Sequence, residues 1–163
     1  MRHSVVATSS FPAPSIRITV CLAMFRQVLQ EFSIKTRGRG FYEITREVTT
    51  LVRNSQLQTG LVTLHIQHTS ASLLIQENAD PEVRRDLERF FSRLAPDGDP
   101  LFQHIAEGND DMPAHVRTAL TSVNLGIPIS NGEMLLGTWQ GIYLWEHRIK
   151  PHTRTVIAHL LGE

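Results

Sequence analysis

Between Val28 and Lys35 the chain alternates: Val28, Gln30, Phe32 and Ile34 share one side and Leu29, Glu31, Ser33 and Lys35 the other. That is the period of a half-buried strand. Thr36-Arg-Gly-Arg-Gly40 interrupts it with two closely spaced glycines and predicts a loop. Beyond Phe41 and Tyr42, the residues Ile44, Val48, Leu51 and Val52 recur at helical spacing. Residues 61–68 form a β-rich run, and 73–77 have the same character beyond the small residues Thr69 to Ser72, so the region reads as two adjoining strands or one bent strand. Asp80 followed by Pro81 predicts a helix start, because a carboxylate caps free amides and proline is accepted at the first helical position. Val83, Leu87, Phe90, Phe91 and Leu94 then make an apolar stripe, expected to be core. Residues 95–109, with Pro96, Gly98, Pro100 and Gly108, have no period and predict a long loop. A second amphipathic helix is expected from near Asp111 and Pro113, with Val116, Ala119, Leu120 and Val123 facing inward. Strands are expected over 127–129, 134–139, 142–147 and 155–161. Many strands and few helices, not in strict alternation, predict an α+β fold with a largely antiparallel sheet or sandwich.

Composition narrows the classes. A chain of 163 residues predicts one domain plus a short excess, here a domain from Met24 onward with residues 1–23 as a disordered or spurious extension. A secretory signal is the competing reading of that extension, weakened by Pro12, Pro14 and Arg17 between the basic start and the apolar stretch. Lys plus Arg equal Asp plus Glu at 16 each, so no global field attracts nucleic acid or an anionic membrane. No apolar run approaches the roughly 20 residues that span a bilayer. Cys21 is the only cysteine, which excludes an internal disulfide or a cysteine-rich zinc site and fits the cytoplasm.

The common phosphate-loop, dinucleotide, serine-hydrolase and zinc-protease signatures are missing. Two polar stretches stand out instead, His68-Thr-Ser-Ala-Ser72 and Gln76-Glu-Asn-Ala-Asp80. In a regular strand His68 shares the parity of Val62, Leu64 and Ile66, whereas His65 falls on the opposite face. A histidine so placed is more often a hydrogen-bonded core residue than a ligand. Glu77 has the parity of Leu73 and Ile75, while Asp80 already has a role as helix cap. His104 lies in the long loop, and His115 opens a helix just beyond Asp110 and Asp111, where a carboxylate can fix an imidazole tautomer. His68, His104 and His115 are candidate ligands of a divalent ion, zinc first, with vacant positions for water or a phosphate oxygen. The competing reading is that these histidines bind substrate phosphate or one another. Gly137-Thr-Trp-Gln-Gly141 suggests a bulge or close backbone approach that re-aims Trp139 and Gln140. Glu146, between apolar neighbours, is a further carboxylate candidate with an ion pair to arginine as its structural alternative. Arg37 and Arg39 sit in a glycine-rich loop able to offer charge to a phosphate.

Taken together, HTSASLLIQENADPEVRRDLERFF, DDMPAHV, GTWQGIYLWEHR and the terminal LLGE resemble the YjbQ-like family, often labelled secondary thiamine-phosphate synthase enzymes, from about Phe25 to Glu163. The resemblance implies a compact β-sandwich-like α+β subunit, commonly a homotrimer, with a polar pocket near subunit contacts. It also implies a weak thiamine-phosphate synthase-like activity that joins a pyrimidine diphosphate to a thiazole phosphate. The family's polar positions fall on His68, Glu77, Asn78, Asp80, His104, Asp111, His115, Trp139, Gln140 and Glu146. His65, His147, His152 and His159 are left as surface or packing residues.

The expected site is therefore one pocket for a small phosphorylated metabolite. Glu77, Asp80, Asp111 and Glu146 are its candidate acids and bases, and Arg39, Ser70, Asn78, Trp139 and Gln140 its substrate contacts. Metal-dependent phosphoester hydrolysis and a non-catalytic metal- or anion-binding trimer are the alternatives to the synthase-like reaction.

Overall fold

A computed structural model describes residues 24–163; the extension at 1–23 and Cys21 lie outside the described residues. The element order is β1 (Arg26–Lys35), β2 (Gly40–Glu43), α1 (Thr45–Ser55), β3 (Thr59–Ile66), β4 (Ala71–Glu77), α2 (Pro81–Leu94), α3 (Asp111–Leu120), β5 (Asn124–Ser130), β6 (Glu133–Met134), β7 (Gln140–Glu146) and β8 (Thr153–Gly162). All strand pairs are antiparallel, in one sheet ordered β1-β8-β3-β5-β6 and a second ordered β2-β7-β4. This is the α+β fold that the element pattern predicts.

The two sheets and α1 share one apolar core. Val62, Leu64 and Ile66 of β3, Ile127 and Ile129 of β5, and Val156, Ala158 and Leu160 of β8 meet Leu73, Ile142 and Leu144 of the smaller sheet, with Val48 and Val52 of α1. Strand parity decides these choices, and His65 accordingly stays exposed on the far side of β3. β3 and β8 approach closely because Gly60 stands opposite Gly162; a Cβ on Gly162 would lie 2.1 Å from the Thr59 carbonyl oxygen. β7 is buried on both faces: Ile142 and Leu144 join the core, while Trp145 stacks on Phe41 at 4.4 Å and meets Phe91 of α2 edge-on at 4.8 Å.

Three expectations fail here. Residues 134–139 are not a strand beyond β6. The hairpin turns through Asn131 and Gly132, both at positive φ, and the Leu135 amide bonds the Pro128 carbonyl, but Pro128 has no N–H to return. The ladder ends there. The α2 stripe is not buried core: Asp80 caps the helix and Pro81 opens it as expected, yet no α2 residue is fully buried and Phe90 and Leu94 are half exposed. α3 is rotated relative to its expected face, burying Asp111, Pro113, Ala114, Arg117 and Thr118 and leaving Leu120 58% exposed. The cause is charge pairing, since Arg117 reaches Glu88 of α2 at 2.7 Å and Asp111 is ion-paired with Arg148. Among the described residues no helix is long and apolar enough to cross a membrane.

Candidate functional site

The N-terminal half of α3 and the loop before it bring together His104, Asp111 and His115, whose ligand-capable atoms all lie within 4.8 Å of one another. Asp111 and His115 are one helical turn apart and so share a face. His104 approaches from the loop and places Nε2 2.8 Å from Asp111 Oδ2. The Asp111 carboxylate is buried, and a buried charge needs a partner. Arg148 supplies it: its Nη1 bonds Asp111 Oδ1, its Nε lies 3.0 Å from Asp110 Oδ2, and its Nη2 donates to the Glu107 carbonyl at 2.7 Å. Burial would raise Asp110, but bonds from the Ile149 amide and from Arg148 outweigh it and hold that carboxyl below its ordinary range.

With Oδ1 committed to Arg148, Asp111 turns Oδ2 toward the two imidazoles. His115 Nδ1 lies 2.9 Å from the Thr69 carbonyl oxygen, which can only accept, so Nδ1 carries the proton. The lone pair of a neutral ring is then on Nε2, 3.5 Å from Asp111 Oδ2. In a neutral ring two electron-rich atoms then face each other, an arrangement that a bound proton or a metal cation resolves. His104, with its side chain 47% exposed, closes the group on the solvent side. A two-histidine, one-carboxylate set suits zinc or another divalent first-row ion and leaves positions open.

His68 is not part of this group, which corrects the three-histidine set. It lies two residues beyond the end of β3, where its Nε2 accepts the Thr155 amide at 2.9 Å and its Nδ1 faces Arg154 at 3.4 Å. Burial first, then the Arg154 charge, lowers its pKa. Asp111 takes the place assigned to His68, so Asp111 is itself a potential ligand rather than a supporting group.

Behind His68 lies Glu146, fully buried. Arg154 donates to it through Nε at 2.7 Å and Nη2 at 2.5 Å, the Thr36 hydroxyl at 3.0 Å and the Arg148 amide at 3.0 Å. Burial would raise its pKa, but these bonds together with the Arg154 charge hold it low. Glu146 is thus a permanent anion in an internal ion pair and not an acid or base for chemistry. Ser70 is part of the same pairing, its Oγ accepting from Arg154 at 3.0 Å. Arg39 is also committed, gripping Asp97 through two bonds of 2.7 and 2.9 Å and donating to the His147 carbonyl, so it has no free fork for phosphate.

The remaining residues lie elsewhere, and the expected single pocket divides in two. Ala71 pairs with Glu146 and Glu77 with Gln140 at the opposite end of the β4–β7 ladder. Six residue steps separate them, about 20 Å at the usual rise per residue. Glu77, Asn78, Trp139 and Gln140 gather at that far end. The Asn78 amide bonds the Trp139 carbonyl at 3.0 Å, and Gln140 Oε1 accepts the Gly137 amide at 2.7 Å, fixing a turn that leaves Trp139 64% exposed. Asp80 caps α2 through the Glu82 amide at 2.8 Å and lies outside the His104–Asp111–His115 group. Sequence reasoning weighed Asp110 only as a partner for the His115 imidazole and missed Thr69, Arg148 and Arg154; the charged residues Asp110, Arg148 and Arg154 carry no sign of burial in a linear pattern.

A two-sheet α+β domain with a histidine–aspartate group at one end of its smaller sheet is the class that fold and site define. The chain belongs to the UPF0047 YjbQ-like family, whose sequence model matches residues 30–163. It is 50% identical over 141 residues to UPF0047 protein sll1880 of Synechocystis, covering 86% of this chain and 96% of that one. It is 44% identical over 132 residues to UPF0047 protein YjbQ of Escherichia coli O157:H7, covering 80% and 95%. An uncharacterized YjbQ/UPF0047 family protein of Clostridium acetobutylicum, solved by crystallography, superposes with a TM-score of 0.73 at 35% identity, covering 78% of this chain and 97% of that one. These names state a family and no reaction.

Proposed function

We propose that the protein is a cation-dependent enzyme that cleaves a small phosphorylated metabolite, with His104, Asp111 and His115 holding the divalent ion, zinc first. The observation that carries this reading is the tautomer of His115, locked by the Thr69 carbonyl so that Nε2 meets a buried carboxylate oxygen at 3.5 Å. A divalent ion at such a donor set supplies Lewis acidity toward a phosphoryl oxygen and lowers the pKa of a bound water. The chain's own part is to keep that donor set fixed. Arg148 holds Asp111 Oδ1 and so orients its carboxylate, and Thr69 keeps the proton on His115 Nδ1.

Hydrolysis of a phosphoester fits one subunit better than synthase-like transfer, because Trp139, the residue suited to stack on a heteroaromatic ring, lies at the other end of β7 from Glu146. Transfer joining a pyrimidine diphosphate to a thiazole phosphate remains the reading that the family resemblance favours. A homotrimer belongs to the same resemblance, and the exposed Phe90, Leu94, Leu101 and Ile105 offer apolar surface for it. The lone cysteine favours a cytoplasmic setting.

Elemental analysis of untagged protein, followed by zinc titration, tests the site. The wild type and His68→Ala should each bind one zinc, whereas His104→Ala, Asp111→Ala and His115→Ala should not. A wild type that cannot be loaded with zinc, manganese or cobalt ends the metal reading. Product analysis separates the reactions: phosphate or an alcohol from a single substrate supports hydrolysis, pyrophosphate with thiamine phosphate supports transfer, and tight binding without turnover supports a non-catalytic binder.

A further inference from the structure

His115 belongs to two places at once. Its Nε2 faces the His104–Asp111 group, and its ring also lines an open cleft of about 630 Å³ between the chain following β3 and the C-terminal half of α3. Volumes of this order are usual for small-molecule sites.

The chemistry of the cleft differs from that of the group beside it. None of its ten lining residues is Asp, Glu, Lys or Arg. Two of its three hydroxyl protons are already used: Thr118 donates to the Ala114 carbonyl at 2.9 Å and Thr121 to the Arg117 carbonyl at 2.7 Å. The Thr118 and Thr121 oxygens can then only accept, which leaves the Thr69 hydroxyl and the Gln67 amide as neutral side-chain donors. Ile66, Ala119 and Val123 add apolar surface. A phosphate is held best by positive charge, and the guanidinium behind His68, that of Arg154, is buried in its pair with Glu146. The cleft thus offers no fixed positive charge to an anion and suits an uncharged group with an apolar face.

We infer that this cleft receives the uncharged organic part of the substrate, an aromatic or heteroaromatic ring, while the charged phosphoryl end lies at the His104–Asp111–His115 group. The inference rests on the cation-site reading and adds to it the side of the substrate that sets specificity. His115 is the hinge of the arrangement, touching both ends of such a molecule. Inorganic phosphate and simple alkyl phosphates then satisfy only half of the site.

Phenylphosphonate and methylphosphonate carry the same charged group and differ in the ring. Calorimetric titration of the zinc-loaded full chain should find phenylphosphonate at least about tenfold tighter, the gain from burying roughly 60 Å² of apolar surface. Ala119 lines the cleft and is exposed, so Ala119→Trp fills the cleft without entering the core. That variant should abolish the tenfold difference and leave zinc and methylphosphonate affinity unchanged. Equal affinities in the wild type, or a difference that survives in Ala119→Trp, overturn the inference. Should zinc fail to bind, the cation reading falls by itself, and the cleft is then read with benzyl alcohol in metal-free protein. Amide shifts at Gln67, Thr69 and Val123 that vanish in Ala119→Trp support the cleft, and their absence in the wild type removes it.

Discussion

Mild acid should weaken the fold through His147 before most carboxylates titrate. The ring is fully buried, 4.8 Å from Trp145, with Nε2 2.9 Å from the Ser72 hydroxyl and Nδ1 without a partner among the described residues. Burial first, then the charges of Arg117, Arg39 and Arg154, push its pKa down to about 3. In the unfolded chain the same ring takes a proton near pH 6.5. The unfolded state therefore binds more protons between these values, and linkage makes stability rise with pH across that window. The contribution is complete above the unfolded pKa and is lost as pH falls from there toward the folded one. At pH 5 the loss is about 2 kcal/mol, large against a typical total of about 5–15 kcal/mol. Urea unfolding of wild type and His147→Leu at about pH 7.5 and about pH 5 isolates the effect, because His68, which titrates in the same direction, is present in both proteins. The variant leaves the Ser72 hydroxyl unpaired, an offset that does not change with pH. The advantage of wild type over variant should shrink by about 2 kcal/mol on acidification. A difference that stays flat refutes the buried neutral histidine.

Arg148→Met should cost about 3–5 kcal/mol in urea unfolding, because it strands Asp110 and Asp111 without their counter-ion. Zinc affinity should fall with it, and a variant of wild-type stability would show those carboxylates to be satisfied some other way. Gly162→Ala should cost about 1–3 kcal/mol of stability, read as a lower urea midpoint with an unchanged slope. The added methyl meets the Thr59 carbonyl and the Gly60 Cα, 2.7 Å away, and an unshifted midpoint would mean that β3 and β8 can part at little cost.

Legibility in the sequence followed the degree to which one face of an element was simply apolar. β3 and β8 alternate cleanly, and their buried residues are those that parity selects. The start of α2 could be read because Asp80 and Pro81 act locally, whatever the helix packs against. The end of β6 was legible in principle and missed: Asn131-Gly132 is a strong hairpin signal, and Pro128 limits how far the hairpin can run. The burial of α2 could not be read, since an apolar stripe says that a partner is preferred and not that this chain supplies one.

The site was hidden for a different reason. Hydrophobic patterning assigns charged residues outward because solvated charge is the usual case, and α3 inverts that rule with Asp111 and Arg117 inside. Each inversion is made possible by a partner that the linear pattern does not mark, Arg148 for Asp111 across 37 residues and Glu88 for Arg117 across 29. The part of the group that could be read, Asp111 and His115 on one helix face, depends only on helical spacing. The part that could not, the exchange of His68 for Asp111, depends on where β3 stops. Two residues past its end, strand parity no longer governs the side chain, and His68 is captured by the Thr155 amide and Arg154 of β8. The backbone of Thr69, next in the chain, is thereby placed to accept from His115. The histidine that sequence parity selected as a ligand thus anchors the segment whose carbonyl fixes the tautomer of one that remains.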